Sequence, residues 1–155
     1  MLRRAIPTLM AAFVALAMFA PPAAADTQVD YRCVTRGPVA GDRVTVCARL
    51  YQRIVSGRTA YYAYGGMASS DGNVRMRIVA LHLRQNNVMQ AQANTVLSPI
   101  GDTHISTRTP VRIPTVCRQN WTAVIGYRIR WTNGSHTPSP TGQSTLPTDG
   151  YTDPC

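Results

Sequence analysis

From Trp121 to Trp131 the chain reads WTAVIGYRIRW, and two kinds of residue alternate through the whole stretch. Trp121, Ala123, Ile125, Tyr127, Ile129 and Trp131 fall on one face; Thr122, Val124, Gly126, Arg128 and Arg130 fall on the other. A period of two is the pattern of a β-strand, whose successive side chains point to opposite faces. The first face carries both tryptophans of the protein, and so much apolar surface needs a second layer to cover it. This stretch therefore predicts a packed β domain.

The same reading extends along the chain. Residues 31 to 36 and 43 to 51 flank the turn-rich GPVAGD (Gly37 to Asp42) and predict a hairpin. Facing Gly37 with Arg43 sets Val34 against Val46, Cys33 against Cys47 and Tyr31 against Arg49. Arg43 to Val55 places Val44, Val46, Ala48, Leu50 and Ile54 inward, with Arg43, Thr45, Arg49, Tyr51 and Arg53 outward. Arg58 to Gly66 reads as a tyrosine-rich strand, SSDGN (Ser69 to Asn73) as a turn, and Val74 to Arg84 as another strand. That strand starts with Val74, Met76 and Ile78 inward and Arg75 and Arg77 outward, then turns apolar on both faces, which predicts a β-bulge or a passage under cover.

Asn86 to Leu97 has the most helical character, but it is short, amide-rich and flanked by strands, so it is read as strand. Thr103 to Thr109 is a weaker strand, Pro110 to Pro114 a break, Asn133-Gly134 a turn, and a short strand near Ser144 closes the pattern. About seven strands at this spacing predict an all-β fold: an antiparallel two-sheet β-sandwich, immunoglobulin-like in outline. Cys33 and Cys47 are too close in sequence to be the inter-sheet bridge of that fold, so the outline rests on patterning.

Residues 1–25, with Arg3 and Arg4 ahead of an apolar run and Ala23-Ala24-Ala25 at its end, predict a secretory signal peptide. The expected product is a single disulfide-bonded domain over residues 26–155, exported by the general secretory pathway. The apolar run is shorter than the ~20 residues that span a bilayer, so no transmembrane anchor is expected. An even set of cysteines, Cys33, Cys47, Cys117 and Cys155, in an exported chain predicts two disulfides. The hairpin register selects Cys33–Cys47 and leaves Cys117–Cys155 by exclusion. No closely spaced Cys/His cluster is present, so neither a metal nor a cofactor is expected.

The chain holds no lysine and no glutamate. An all-Arg, all-Asp charge set fits a GC-rich bacterial coding bias. Without Arg3 and Arg4, fourteen arginines face seven aspartates, a formal +7 where the whole chain carries +9. The catalytic inventory is thin. His82, His104 and His136 are isolated, Asp42, Asp71, Asp149 and Asp153 sit in turns where aspartate usually caps the backbone, and no GxSxG, HExxH or phosphate-binding loop occurs. An enzyme is not expected.

The arginines are more informative. Arg43, Arg49, Arg53, Arg75, Arg77, Arg128 and Arg130 all fall on predicted solvent faces and form the candidate anion-binding face. Like charges opposed across a sheet repel, so a contiguous set is better tolerated against an anionic partner; the competing explanation is a solvated face that keeps the protein soluble. Tyr61, Tyr62 and Tyr64 form an aromatic set that stacks on bases or sugars, or packs. Nucleic acid fits the charge but has no motif here. The expected function is a secreted, non-catalytic basic module that recognises an anionic cell-envelope component or an extracellular protein. The alternative is a secreted inhibitor or effector of an exported enzyme such as a protease, presenting Gly65 to Asn73, with Met67 exposed, or Asn133 to Thr145.

Overall fold

A computed structural model describes residues 25–154. The expected signal peptide, residues 1–25, lies outside the described residues except for Ala25, and so does Cys155. The described residues form eleven strands and no helix: β1 (Thr27–Val39), β2 (Asp42–Val55), β3 (Arg58–Ser69), β4 (Arg75–Gln85), β5 (Val88–Ala93), β6 (Val96–Leu97), β7 (His104–Arg108), β8 (Asn120–Arg130), β9 (His136–Thr137), β10 (Ser144–Pro147) and β11 (Tyr151–Thr152).

All pairings are antiparallel and build two sheets. The first runs β1-β2-β3-β7; the second runs β10-β8-β4-β5, with β6 also on β4 and β9 and β11 also on β8. Because β5 and β6 follow one edge of β4, and β9, β10 and β11 follow one edge of β8, each sheet is four rows wide. Three hairpins are closed by two-residue loops in which both residues have positive φ: Ala40-Gly41, Ser56-Gly57 and Asn86-Asn87. Such loops match the right-handed twist of the strands they join. The first is narrower than the Gly37 to Asp42 connector expected from the sequence, because β1 continues to Val39.

The β1–β2 register matches the sequence expectation, with Tyr31 opposite Arg49, Cys33 opposite Cys47 and Val34 opposite Val46. Cys33 and Cys47 are bonded, their Cα atoms 4.1 Å apart. This is one disulfide where the sequence reading expected two. The other expected bridge ends on Cys155, outside the described residues, and no free cysteine is found among the described ones. The bulge expected in β4 falls between Ile78 and Ala80.

The core lies between the sheets. The face of β8 that carries Trp121, Ala123, Ile125, Tyr127 and Ile129, with Trp131 just past its end, is buried throughout, against Val44, Val46, Ala48 and Leu50 of β2 and Tyr61, Ala63 and Met67 of β3. Each fully buried leucine or isoleucine contributes about 1.5–3 kcal/mol. The Tyr61 and Trp121 rings stack at 4.9 Å. At Gly65 the sheets come so close that a Cβ would sit 3.0 Å from side-chain carbons of both Ile125 and Leu81.

Two sequence expectations are corrected. Ile54 shares the inward parity of β2 but lies past the end of the core and is exposed. Met67, expected in an exposed loop, continues β3 and is buried, because the Gly65-Gly66 pair does not end the strand.

Buried aspartates fasten the loops. Asp42 accepts hydrogen bonds from the hydroxyls of Ser69 and Ser70 and from the Asp71 N–H. Burial alone would raise its pKa, but these donors outweigh it and hold the carboxyl below its ordinary value. Asp153 accepts from the Gln119 N–H and from Trp121 Nε1, at 2.8 and 3.1 Å. That contact ties the chain end to the start of β8.

Candidate functional site

Four of the candidate arginines are direct neighbours on the outer face of the second sheet. Arg75 is opposite Arg130 and Arg77 is opposite Arg128 across the β4–β8 pair. Alternation puts all four on one face, away from Met76, Ile78 and Ile129 in the core. The Arg128 guanidinium donates to the carbonyl oxygens of Pro140 and Thr141, both at 3.1 Å, and so holds the loop between β9 and β10 against the sheet. Arg75, Arg77 and Arg130 are exposed. Among the described residues the ion pairs are Arg32–Asp149 and Arg53–Asp26, so none of the four has a carboxylate partner there. A recess of about 290 Å³ opens beside them, lined by Asn73, Arg75, Ile100, Arg130, Trp131 and Thr132. Ile100 at its rim is exposed.

The other three candidates, Arg43, Arg49 and Arg53, belong to β2 in the first sheet and point from the opposite side of the sandwich. The seven arginines therefore form two faces. On this second one the charges are mixed with tyrosines. Arg53 lies over the Tyr62 ring, 5.6 Å from its centroid, and Arg49 over Tyr64 at 6.0 Å. Tyr51 stacks on Tyr62 at 5.3 Å and meets Tyr64 edge-on at 6.3 Å. Asp26 clasps Arg53 through two hydrogen bonds of 2.8 and 3.0 Å and accepts a third, of 2.8 Å, from the Tyr62 hydroxyl. The carboxyl is held below its ordinary value, first by Arg53 and then by Tyr62. The Tyr62 phenol is pushed up to about 12, chiefly by burial and then by Asp26.

No protein-family model, curated protein or solved structure matches this chain.

Of the three tyrosines singled out in the sequence, Tyr62 and Tyr64 face outward while Tyr61 faces the core, where burial pushes its phenol up to about 12. Sequence reasoning passed over Tyr31 and Arg108 as members of the tyrosine-rich face. Tyr31 was already in view as the partner of Arg49; Arg108 had no signal, because nothing in the sequence pairs β7 with β3. The histidines do not converge. His82 lies on β4, its pKa lowered by burial and then by Arg84, while His104 pairs into the first sheet and His136 into the second. No group of three or more metal-ligating side chains occurs among the described residues. A recess of about 430 Å³ is walled by Arg58, Tyr61, Val116 and Tyr151, beside the Asp153 that binds Trp121.

Proposed function

We propose that the protein is a secreted, non-catalytic binding module that recognises an anionic component of the cell envelope through Arg75, Arg77, Arg128 and Arg130. One observation carries this reading: two arginine pairs stand directly opposed across β4 and β8 with no carboxylate partner among the described residues. Opposed like charges destabilise a sheet by up to about 1 kcal/mol per pair, and an anionic partner removes that repulsion. The recess between Arg75, Arg130 and Ile100 supports a ligand with charged and apolar parts.

The scaffold reads as immunoglobulin-like with one strand added at the start. From β2 onward the chain places two strands in the first sheet, then β4 and its β5–β6 edge in the second, then β7 beside β3, and finally β8 and its returning edge beside β4. That alternation is the support for an immunoglobulin outline.

The test is retention of the purified protein on washed bacterial envelopes across a salt gradient. Retention at low salt that falls steeply as salt rises supports the reading. The triple variant Arg75→Ser, Arg77→Ser, Arg130→Ser should lose it, with Arg128 left to hold its loop. Absence of retention at low salt would remove the reading and turn attention to inhibition of exported proteases, for which Asn133 to Thr145 is the remaining loop.

A further inference from the structure

Across the first sheet, one row of outward positions alternates in chemistry: Tyr31 on β1, Arg49 on β2, Tyr64 on β3 and Arg108 on β7, each directly opposite the next. The adjacent outward row is Cys33, Cys47, Gly66 and Ser106, all small, and two of them are joined in the disulfide. A row of tall side chains therefore runs beside a row of small ones, and both cross the strands; the Tyr64 ring leans over Gly66, its Cε1 3.4 Å from where a Cβ there would sit. Tyr31 and Arg108, at the ends of the tall row, are exposed. Tyr51 and Tyr62 extend the aromatic surface behind it. The Asp26 carboxylate on this face is taken up by Arg53 and Tyr62. Arg49 and Arg108 have no ion-pair partner among the described residues.

We propose that this row is a binding track for an acidic polysaccharide that crosses the strands from Tyr31 to Arg108. A sugar ring stacks on the exposed Tyr31, while Tyr64 is covered by Arg49 and flanks the path, and carboxylates bond to the guanidinium groups of Arg49 and Arg108. Spacing selects the class. Like residues recur every second strand, about 10 Å apart, which suits a polymer that places one charge in each disaccharide. A nucleic-acid strand, with a phosphate every ~3.4 Å along a duplex axis, puts charge more densely than the row can answer. The track lies on the opposite side of the sandwich from Arg75 and Arg130 and stands or falls independently of them.

The probe is hyaluronan, an acidic polysaccharide with one carboxylate per disaccharide, measured by calorimetry against single-stranded oligothymidylate and uncharged dextran. Wild type should prefer hyaluronan to both. Tyr31→Ala and Arg108→Ala, both at exposed positions, should each weaken it by about tenfold, and Arg108→Ala alone should flatten its salt dependence. The triple variant at Arg75, Arg77 and Arg130 should bind it like wild type. The proposal is overturned if wild type does not bind hyaluronan, if it binds oligothymidylate more tightly, or if the triple variant loses binding while Tyr31→Ala and Arg108→Ala keep it.

Discussion

Asp26 and Arg53 are joined by two hydrogen bonds of 2.8 and 3.0 Å, which pin the start of β1 to the outer face of β2 near its far end. The same carboxylate receives the Tyr62 hydroxyl, so one residue ties the first strand to two others. Because the Asp26 pKa is lowered in the fold, this contribution is present above the ordinary value of 3.8 and is lost as pH falls through the lower, folded value. The protection of amides at residues 27–30 against hydrogen exchange, relative to the unfolded chain at the same pH, should therefore fall below pH 3.8 in wild type. In Asp26→Asn the same amides should exchange fast already at neutral pH, with no further acid step tied to this clamp. Equal protection in both proteins would show that the clamp holds nothing.

At alkaline pH the sign reverses. Tyr61 and Tyr62 have folded pKa values raised to about 12 from the ordinary 10.0, Tyr61 chiefly by burial and Tyr62 by burial and then by Asp26. Their contribution to stability is complete below pH 10.0 and disappears as pH rises to about 12. An ultraviolet titration of tyrosinate should show a late phase to which Tyr61 and Tyr62 contribute, and Tyr62→Phe should reduce that phase. A titration in which Tyr62→Phe changes only the early phase would contradict the buried environment of that ring.

The disulfide between Cys33 and Cys47 closes a loop with a sequence separation of 14. Loops of that size gain about 3 kcal/mol from closure in the chain-entropy account. The double variant Cys33→Ser, Cys47→Ser should lose stability of that order in urea while remaining folded, since the β1–β2 ladder and its register do not depend on the bond. Peptide mapping of the unreduced protein should also find Cys117 joined to Cys155, the pairing expected from the sequence. Protein recovered from a culture medium should begin at Asp26 if export removes residues 1–25, and a retained leader would count against secretion by that route.

Gly65 offers a test of how closely the sheets pack. Its missing Cβ is replaced by Ile125 and Leu81, whose carbons lie 3.0 Å from where that atom would be. Neither can retreat far, because both are fully buried. Gly65→Ala should therefore destabilise the fold by about 1–3 kcal/mol, the usual range for overpacking a core. At Gly126 the nearest atoms are 3.4 Å away, in Ala80 and Gln143, so Gly126→Ala should cost less. Chemical denaturation of the two variants gives the order directly.

Strand β8 was legible because eleven consecutive residues obey one period and the apolar face is unbroken. The first hairpin was legible because the cysteines and the turn residues select the same register. The candidate site was legible only in part. Parity along a strand says which residues share a face, but not which sheet the strand joins, so Arg49 and Arg77 could be read as outward without being assigned to opposite sides of the molecule. Met67 was misplaced because glycine is permitted inside a strand where another sheet comes close, and the sequence does not show that approach. Ile54 was misplaced for the converse reason: the alternation of β2 outruns the sheet that covers it. β11 escaped notice because two residues have no period, and it is the Asp153 contacts to Gln119 and Trp121 that bring the chain back there.

The opposed arginines give the prediction in which stability and binding part company. Arg75 and Arg77 face Arg130 and Arg128 across the ladder, at positions where a β-branched polar residue would suit the strand and repel nothing. Arg75→Thr removes one of the two like-charge contacts without touching the core, since Arg75 is exposed and makes no ion pair among the described residues. It should raise stability by a few tenths of a kcal/mol, up to about 1, and the gain should shrink as salt screens the repulsion in wild type. The same variant should reduce retention on anionic envelopes. Arg128→Thr should behave differently, because it also frees the carbonyls of Pro140 and Thr141, so its gain from relieved repulsion is offset by a loosened loop. Stability measured at low and high salt for both variants, set beside their retention, separates charge kept for a partner from charge that only keeps the protein in solution. An Arg75→Thr protein that is more stable yet binds as well as wild type would assign the quartet to solubility alone.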